Sequence, residues 1–297
     1  MRYGYRNGNY NVIIDAETGT KIRFTHDDEF HPRFAESVDV TITYKCDGGC
    51  PFCYADCTPQ GKHADLMSRE VSLLIDSLHP HTELALNGND LTIPHLEEFL
   101  TKIKYKHVLA NLTVNQKHFV KNIDLLMEWA KKDLIKGLGV SLSDATDENL
   151  FRIKEFPGAI LHTVAGILTE NDLELLKNKD IKLLILGYKQ KGRGINYYSQ
   201  ETKQNIETLK NLLPSMLEEK WFNLISFDNL ALEQLAVKNL LTEEEWEQTY
   251  MGDDAKFTFF VDLVNKTFAG NSLTNNTHPI TNWDIIKIFQ MLQEENK

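Results

Sequence analysis

The sequence predicts an α/β protein: a parallel sheet with helices outside it, curled into a full or partial barrel. Strand-like and helix-like stretches alternate from residue 38 to residue 228, the pattern of a parallel sheet with crossover helices. The strands also keep one face apolar and the other small and polar. A parallel strand packed between two helix layers is apolar on both faces, so the polar face implies a lumen. Finally, all four cysteines, Cys46, Cys50, Cys53 and Cys57, fall in one loop directly after the first of these strands.

Residues 1–37 read as an N-terminal extension. Tyr10–Ile14 and Thr20–Phe24 form a β-hairpin around the Gly-bearing loop Asp15-Ala16-Glu17-Thr18-Gly19. The hairpin is either a lid or docking strand pair, or an ordinary edge hairpin. Within 38–228 the strand candidates are 38–44, 83–88, 107–115, 137–143, 159–166, 181–188 and 223–228. Helical periods lie near 68–78, 95–105, 118–132, 146–155, 170–178 and 201–218, several with start signals at Ser68, Thr146 and Thr169. Val40 and Ile42 alternate with Asp39, Thr41 and Thr43; Leu112 and Val114 with Asn111, Thr113 and Asn115; Leu138, Val140 and Leu142 with Gly139, Ser141 and Ser143. Active sites of such barrels lie at the C-terminal ends of the strands, where the cysteine loop also sits. The strand 181–188 differs, being nearly continuously apolar, and runs into the basic loop Lys189-Gln190-Lys191-Gly192-Arg193-Gly194. That loop is either a grip for a phosphate or carboxylate or a solvated connection. Residues 229–297 form a small α+β extension without cysteine: helices at 229–237 and 242–250, a second hairpin over 257–269 and a closing amphipathic helix at 283–295.

At 297 residues the chain has ample length for a core, and its 42% hydrophobic and 25% charged residues are those of a globular protein. No apolar run is long enough to span a membrane, and the first residues lack a signal-peptide core, so a cytoplasmic location is expected. With 32 basic against 43 acidic residues, the net charge of −11 disfavours a nucleic-acid partner.

Four cysteines in a span of twelve residues read as a metal site, because a disulfide framework would scatter them. Three metal readings compete. Zinc could use all four thiolates, although structural zinc sites pair short hooks from separate segments. A ferredoxin-type cluster could use Cys57 as its fourth ligand. The third reading is a cubane held by three thiolates, with one iron open for chemistry.

Cys46, Cys50, Phe52 and Cys53 make a C-x3-C-x-aromatic-C motif after the first strand of an alternating chain, and this resembles the radical S-adenosylmethionine (SAM) superfamily. The resemblance implies a partial (β/α)6-type TIM barrel over 38–228, a [4Fe–4S] cluster on Cys46, Cys50 and Cys53, and SAM chelated by the open iron, with Phe52 near its adenine. Asn87-Gly88-Asn89-Asp90 occupies the place of the Gly-Gly-Glu-like turn that holds the SAM amino group, departing from it at Asn87 and Asn89. Thr113 and Asn115 resemble a Thr-x-Asn strand ending that lines the SAM site, and Ser141 with Ser143 resembles the following strand's Val-Ser-Leu-Asp segment. Gly187 and Tyr188, at the end of strand 181–188, complete the expected SAM contacts.

The implied activity is reductive cleavage of SAM to a 5′-deoxyadenosyl radical that abstracts hydrogen from a small-molecule, nucleotide or peptide substrate. An external donor such as flavodoxin or ferredoxin would supply the electron to an oxygen-sensitive cluster. Two alternatives accompany this reading: a closed four-cysteine electron-transfer or redox-sensing protein, and an activase of a glycyl-radical enzyme. Cys57 is a hydrogen-atom donor, a spare thiol or a loop residue, and His63 a loop stabiliser or a catalytic group.

Overall fold

The computed structural model describes residues 2–15 and 17–295. Met1, Ala16 of the hairpin loop, Asn296 and Lys297 lie outside the described residues.

The N-terminal extension is a three-stranded antiparallel sheet, β1 (Arg2–Asn7), β2 (Tyr10–Asp15) and β3 (Lys21–Phe24), in that order. The expected hairpin is β2–β3; β1 is an addition. It pairs with β2 from Asn7↔Tyr10 outward, so Gly8 and Asn9 make a two-residue turn. Gly8 has φ +61°, and a Cβ there would lie 1.8 Å from the His31 carbonyl oxygen. A buried polar network fastens this sheet to the barrel. Glu36, 0% exposed, accepts from Tyr10 Oη at 2.6 Å and from Arg23 Nε and Nη2 at 2.9 Å each. Lys21 Nζ pairs with Glu83 at 2.6 Å. Removing one partner of such a buried set leaves an uncompensated charge, which costs about 3–5 kcal/mol.

The main sheet begins with seven parallel strands in chain order: β4 (Ser37–Thr41), β5 (Glu83–Asn89), β6 (Leu109–Asn115), β7 (Gly137–Ser141), β8 (Ala159–Val164), β9 (Lys182–Leu186) and β10 (Leu224–Phe227). Their crossovers carry α1 (Arg69–Asp76), α2 (Leu96–Tyr105), α3 (Gln116–Lys121), α4 (Ile123–Lys131), a 3-10 helix (Glu148–Glu155), α5 (Glu170–Leu176), α6 (Gly194–Tyr197) and α7 (Gln200–Glu218). All seven strands predicted between 38 and 228 are present. The helix expected over 118–132 breaks at Asn122, whose side chain donates to the His118 carbonyl at 2.8 Å. The segment expected at 146–155 is a 3-10 helix capped by Asp147 rather than Thr146.

Beyond β10 come α8 (Asn229–Gln234), a 3-10 turn (Val237–Leu240), α9 (Glu243–Thr249), β11 (Thr258–Asp262), β12 (Thr267–Ala269), β13 (His278–Pro279) and α10 (Ile285–Glu295). The predicted hairpin is β11–β12, and β11 also joins the main sheet parallel to β4 in the register Thr258↔Ser37 to Asp262↔Thr41.

Strand alternation sorts the side chains. Val38, Val40, Leu84, Leu86, Leu112, Val114, Leu138, Val140, Leu161, Leu183 and Ile185 are buried against the helices, each worth roughly 1.5–3 kcal/mol of transfer free energy. The other face is only half-buried, and parallel registers align its residues across the wall as Asp39–Ala85–Asn111–Gly137, Asn87–Thr113–Gly139 and Asn115–Ser141–His162–Leu184. The wall is curled: β4 and β10 stand six strand spacings apart in the sheet, roughly 29 Å if flat, yet Asp39 of β4 and Asp228 after β10 line one cavity. Among the described residues no helix is long and apolar enough to cross a membrane.

Candidate active site

The cysteine loop is held at its base by side chains of β5. Asn87 Oδ1 accepts from Ile42 N at 2.7 Å and its Nδ2 donates to the Thr43 carbonyl at 2.6 Å, carrying the extended chain past the end of β4. Asn89 Nδ2 donates to the Lys45 carbonyl at 3.0 Å and lies 3.7 Å from Cys57 Sγ. The returning chain closes the loop: Cys46 N donates to Thr58 O at 2.9 Å and Thr58 N to Tyr44 O at 3.1 Å. Gly61 lets this return pass, since a Cβ there would lie 2.0 Å from the Tyr44 oxygen. His63 Nδ1 meets Thr43 Oγ1 at 2.9 Å, a bond that serves the loop base. Tyr44 Oη donates to Asp262 of β11 at 2.6 Å.

The loop tip is gripped by the β6–α3 junction. Asn115 caps α3 by accepting from His118 N at 3.0 Å, and its Nδ2 lies 3.6 Å from Cys46 Sγ. The first turns of that helix then place Lys117 Nζ at 2.8 Å and His118 Nε2 at 2.7 Å from the Asp47 carboxylate. These two donors hold the Asp47 carboxyl below its usual pKa.

The sulfurs face shared space. A Cβ on Gly48 would lie 3.3 Å from Cys46 Sγ and 3.8 Å from Cys50 Sγ, so glycine keeps the gap between them open. Cys57 donates a thiol hydrogen bond to Cys53, which pulls the Cys53 thiol down to about 6 and pushes that of Cys57 up. Burial raises Cys46 and Cys50. The basic loop supplies the counter-charge: the Arg193 guanidinium donates to the Cys50 carbonyl through Nε (3.2 Å) and Nη2 (3.1 Å), and to the Cys57 carbonyl at 3.1 Å. Its backbone N–H reaches Asp56 at 2.8 Å.

Thiolates are the species that bind iron, and half-buried thiols beside a fixed guanidinium, ringed by N–H donors, suit an iron–sulfur cluster. Among the described residues no three His, Cys, Asp or Glu side chains converge as ligands of one ion. Thiolates on separate irons of a cubane stand further apart than ligands sharing one zinc, so a cluster does not ask for that convergence.

The candidate SAM contacts divide into two groups. Thr113 and Ser141 face the lumen and make no side-chain hydrogen bond among the described residues, and Asn89 keeps its Oδ1 unengaged while Nδ2 holds the loop. Asn115 stands between them and Cys46, and Phe52 packs edge-on against Tyr197 with ring centroids 5.8 Å apart.

The residues of the second group make contacts within the protein. Asn87 is bonded to the Ile42 and Thr43 backbone just past β4. Gly88 is a bulge residue against β6, where a Cβ would lie 2.9 Å from Leu112. Asp90 accepts from Thr92 N and Oγ1 at 3.1 and 2.7 Å. Ser143 N and Oγ both meet Gln116 Oε1, at 2.9 and 3.4 Å. Gly187 is pressed against α8, with a hypothetical Cβ 2.4 Å from Leu230. Tyr188 is 2% exposed and donates its phenol to the Gly194 carbonyl at 2.8 Å, tying down the basic loop. Nor is that loop an open anion grip. Arg193 straps the cysteine loop, Lys191 donates to the Ser272 carbonyl at 2.9 Å, and Lys189 lies over the Tyr54 ring at 4.3 Å.

His162 of β8 was not singled out from sequence. It faces the lumen beside Gly139 and Thr113; a Cβ on Gly139 would lie 2.4 Å from its ring and 2.7 Å from Thr113 Oγ1. Water in the lumen can touch it, yet protein encloses it, and this burial pushes its pKa down to about 4. A polar residue alternating with Ile160 and Val164 was the available signal.

No protein-family model matches the sequence, and no curated protein matches it. Solved structures do. SuiB of Streptococcus suis bound to S-adenosylmethionine aligns over 97% of this chain and 86% of its own, with a TM-score of 0.63 and 10% identity. SuiB bound to its precursor peptide SuiA aligns over 97% and 88%, with a TM-score of 0.61 and 9% identity. The chain has the radical SAM fold. In that fold the cysteine loop lies at the C-terminal end of the first barrel strand, here β4, above the polar lumen wall.

Proposed function

We propose that the protein is a radical SAM enzyme, in which Cys46, Cys50 and Cys53 hold a [4Fe–4S] cluster and the wall formed by Asn89, Thr113, Asn115 and Ser141 receives SAM. The observation that carries this reading is the pairing of a thiol-rich loop at the strand ends with unengaged polar side chains directly on the neighbouring strands. When bound, the cluster supplies the electron that cleaves SAM to methionine and a 5′-deoxyadenosyl radical, the agent that takes hydrogen from the substrate.

The chain's own residues orient and enclose. Asn115 and the Gly48 N–H place donors at Cys46, easing the negative charge of its sulfur. Arg193 fixes the loop carbonyls and adds positive charge. Thr113 and Ser141 offer hydroxyls to a polar ligand, while Ile160, Val164, Leu184 and Leu186 line the lumen with apolar surface that restricts water. A peptide substrate is supported by SuiB, which was solved with a precursor peptide. A nucleotide is less well served, because the cations of the basic loop are engaged internally. An external electron donor and a cytoplasmic setting complete the proposal.

A second reading follows from Cys57, whose thiol meets Cys53: a closed cluster with four cysteine ligands that carries electrons only. Anaerobic reconstitution with iron and sulfide, then SAM and dithionite, separates the two. The open-iron reading expects Cys50→Ala to lose the cluster, Cys57→Ala to keep it, and the wild type to form 5′-deoxyadenosine. Loss of the cluster from Cys57→Ala, with no 5′-deoxyadenosine from wild type, selects the closed one.

A further inference from the structure

The curled wall leaves a seam between its first strand and its last, and a cavity of ≈220 Å3 fills it. Asp39 of β4, Lys189 after β9, Asp228 after β10, and Asp253, Asp254 and Asn271 from the C-terminal segment line it. Three of the four carboxylates are held by neutral donors. Asp228 Oδ1 accepts from the N–H groups of Gly187 and Ala231, both at 2.8 Å. Asp253 accepts from Tyr250 Oη at 2.6 Å, and Asp254 from the amides of Asn229 and Asn271 at 2.8 and 2.6 Å. These bonds fix the carboxylates and leave their charge in place.

Asp39 stands apart. Its carboxyl is reached by lumen water but enclosed by protein, and it has no hydrogen bond or ion pair among the described residues. The single cation of the lining, Lys189, lies 4.0 Å from Asp228 and extends from the Tyr54 ring of the cysteine loop, so the cavity adjoins the proposed cluster. Arg23 lies over the Phe257 ring, 4.0 Å from its centre, and is engaged with Glu36.

We infer that this cavity binds a positively charged amine of the substrate, such as a lysine side chain, with Asp39 as its direct partner. The role of that site in catalysis rests on the radical SAM reading; its ligand chemistry does not. Four carboxylates against one ammonium leave the lining short of positive charge. Burial pushes the Asp39 carboxyl up to about 6; Lys189 opposes this only in part, and Asp254 and Asp228 add to it. A guest cation would return it to the ordinary carboxylate range. Size agrees as well, because pockets for whole drug-sized ligands hold about 300–1,000 Å3, whereas ≈220 Å3 suits one side chain.

The test uses the full chain without SAM and two probes, Nα-acetyl-lysine N-methylamide and its uncharged isostere Nα-acetyl-norleucine N-methylamide, with binding followed by ligand-observed NMR. The lysine probe is expected to bind at least about tenfold more tightly than the norleucine probe, and to tighten as pH rises through about 6 and Asp39 ionises. Asp39→Asn is expected to remove most of that preference, and Asp254→Asn to weaken it severalfold, with thermal melting confirming that both variants fold. Equal binding of the two probes to wild type overturns the inference, as does an undiminished preference in folded Asp39→Asn. Neither result bears on the cluster, and absence of 5′-deoxyadenosine from the reconstituted protein would not alter either.

Discussion

The lumen wall changes character part-way round. Across β4–β7 it presents Asp39, Asn87, Asn111, Thr113, Asn115 and Ser141, with glycine at 137 and 139 keeping space between them; across β8 and β9 it presents Ile160, Val164, Leu184 and Leu186, with His162 and, at the start of β9, Lys182 as polar exceptions. The polar half lies beneath the cysteine loop and can hold a fixed polar ligand through many short hydrogen bonds. The apolar half offers mostly hydrocarbon surface. One curled sheet thus carries a polar and an apolar half by varying only the inward side chains.

Gly139 sits where the halves meet, and filling it should have the largest effect. Gly139→Val drives a branched side chain into His162 and Thr113, at a cost of about 1–3 kcal/mol. Chemical denaturation should register that loss, and SAM-dependent 5′-deoxyadenosine formation should fall at least about tenfold. Unchanged stability and turnover would mean that the two halves are not in contact there.

Titration of His162 probes the apolar half. Its pKa is about 4 in the fold against 6.5 when unperturbed, so the unfolded chain binds the proton first. The stability it contributes is complete above pH 6.5 and is lost as pH falls through 4, on the order of 1–3 kcal/mol. His162→Asn should flatten the pH dependence of melting over that window; a curve parallel to wild type would place the imidazole in a more polar setting.

Ser141→Ala should have the smallest effect on stability, within about 0.5 kcal/mol, because its hydroxyl has no partner among the described residues. SAM affinity, measured by equilibrium binding, should drop severalfold. An unaltered affinity would remove Ser141 from the polar half's ligand set.

All seven parallel strands were legible because alternation exposes which face of each strand is buried. The cysteine loop at the end of β4 was legible too, since four cysteines follow directly on a strand pattern. What the pattern could not supply was the partner of each polar atom. Asn87, Asp90 and Ser143 lie where SAM contacts were expected, and Ile42, Thr92 and Gln116 each engage one of them. Tyr188 follows a strand that reads as leading to the mouth, yet it turns inward to Gly194. Strand β1 is absent from the sequence reading, although Tyr3 and Tyr5 alternate with Arg2, Gly4 and Arg6 as a half-buried strand should and Gly8-Asn9 marks its turn. The pairing of β11 with β4 has no local signal, being set by packing between segments more than 200 residues apart.

That last pairing bears on the order in which the molecule can be completed. Until Thr258–Asp262 leaves the ribosome, one edge of β4 has no neighbour, and Tyr44, two residues before Cys46, lacks the carboxylate that anchors its phenol. The exposed edge is an invitation to mispairing for most of the time the chain is being made. The floor under the cysteines is therefore among the first parts translated and among the last to set.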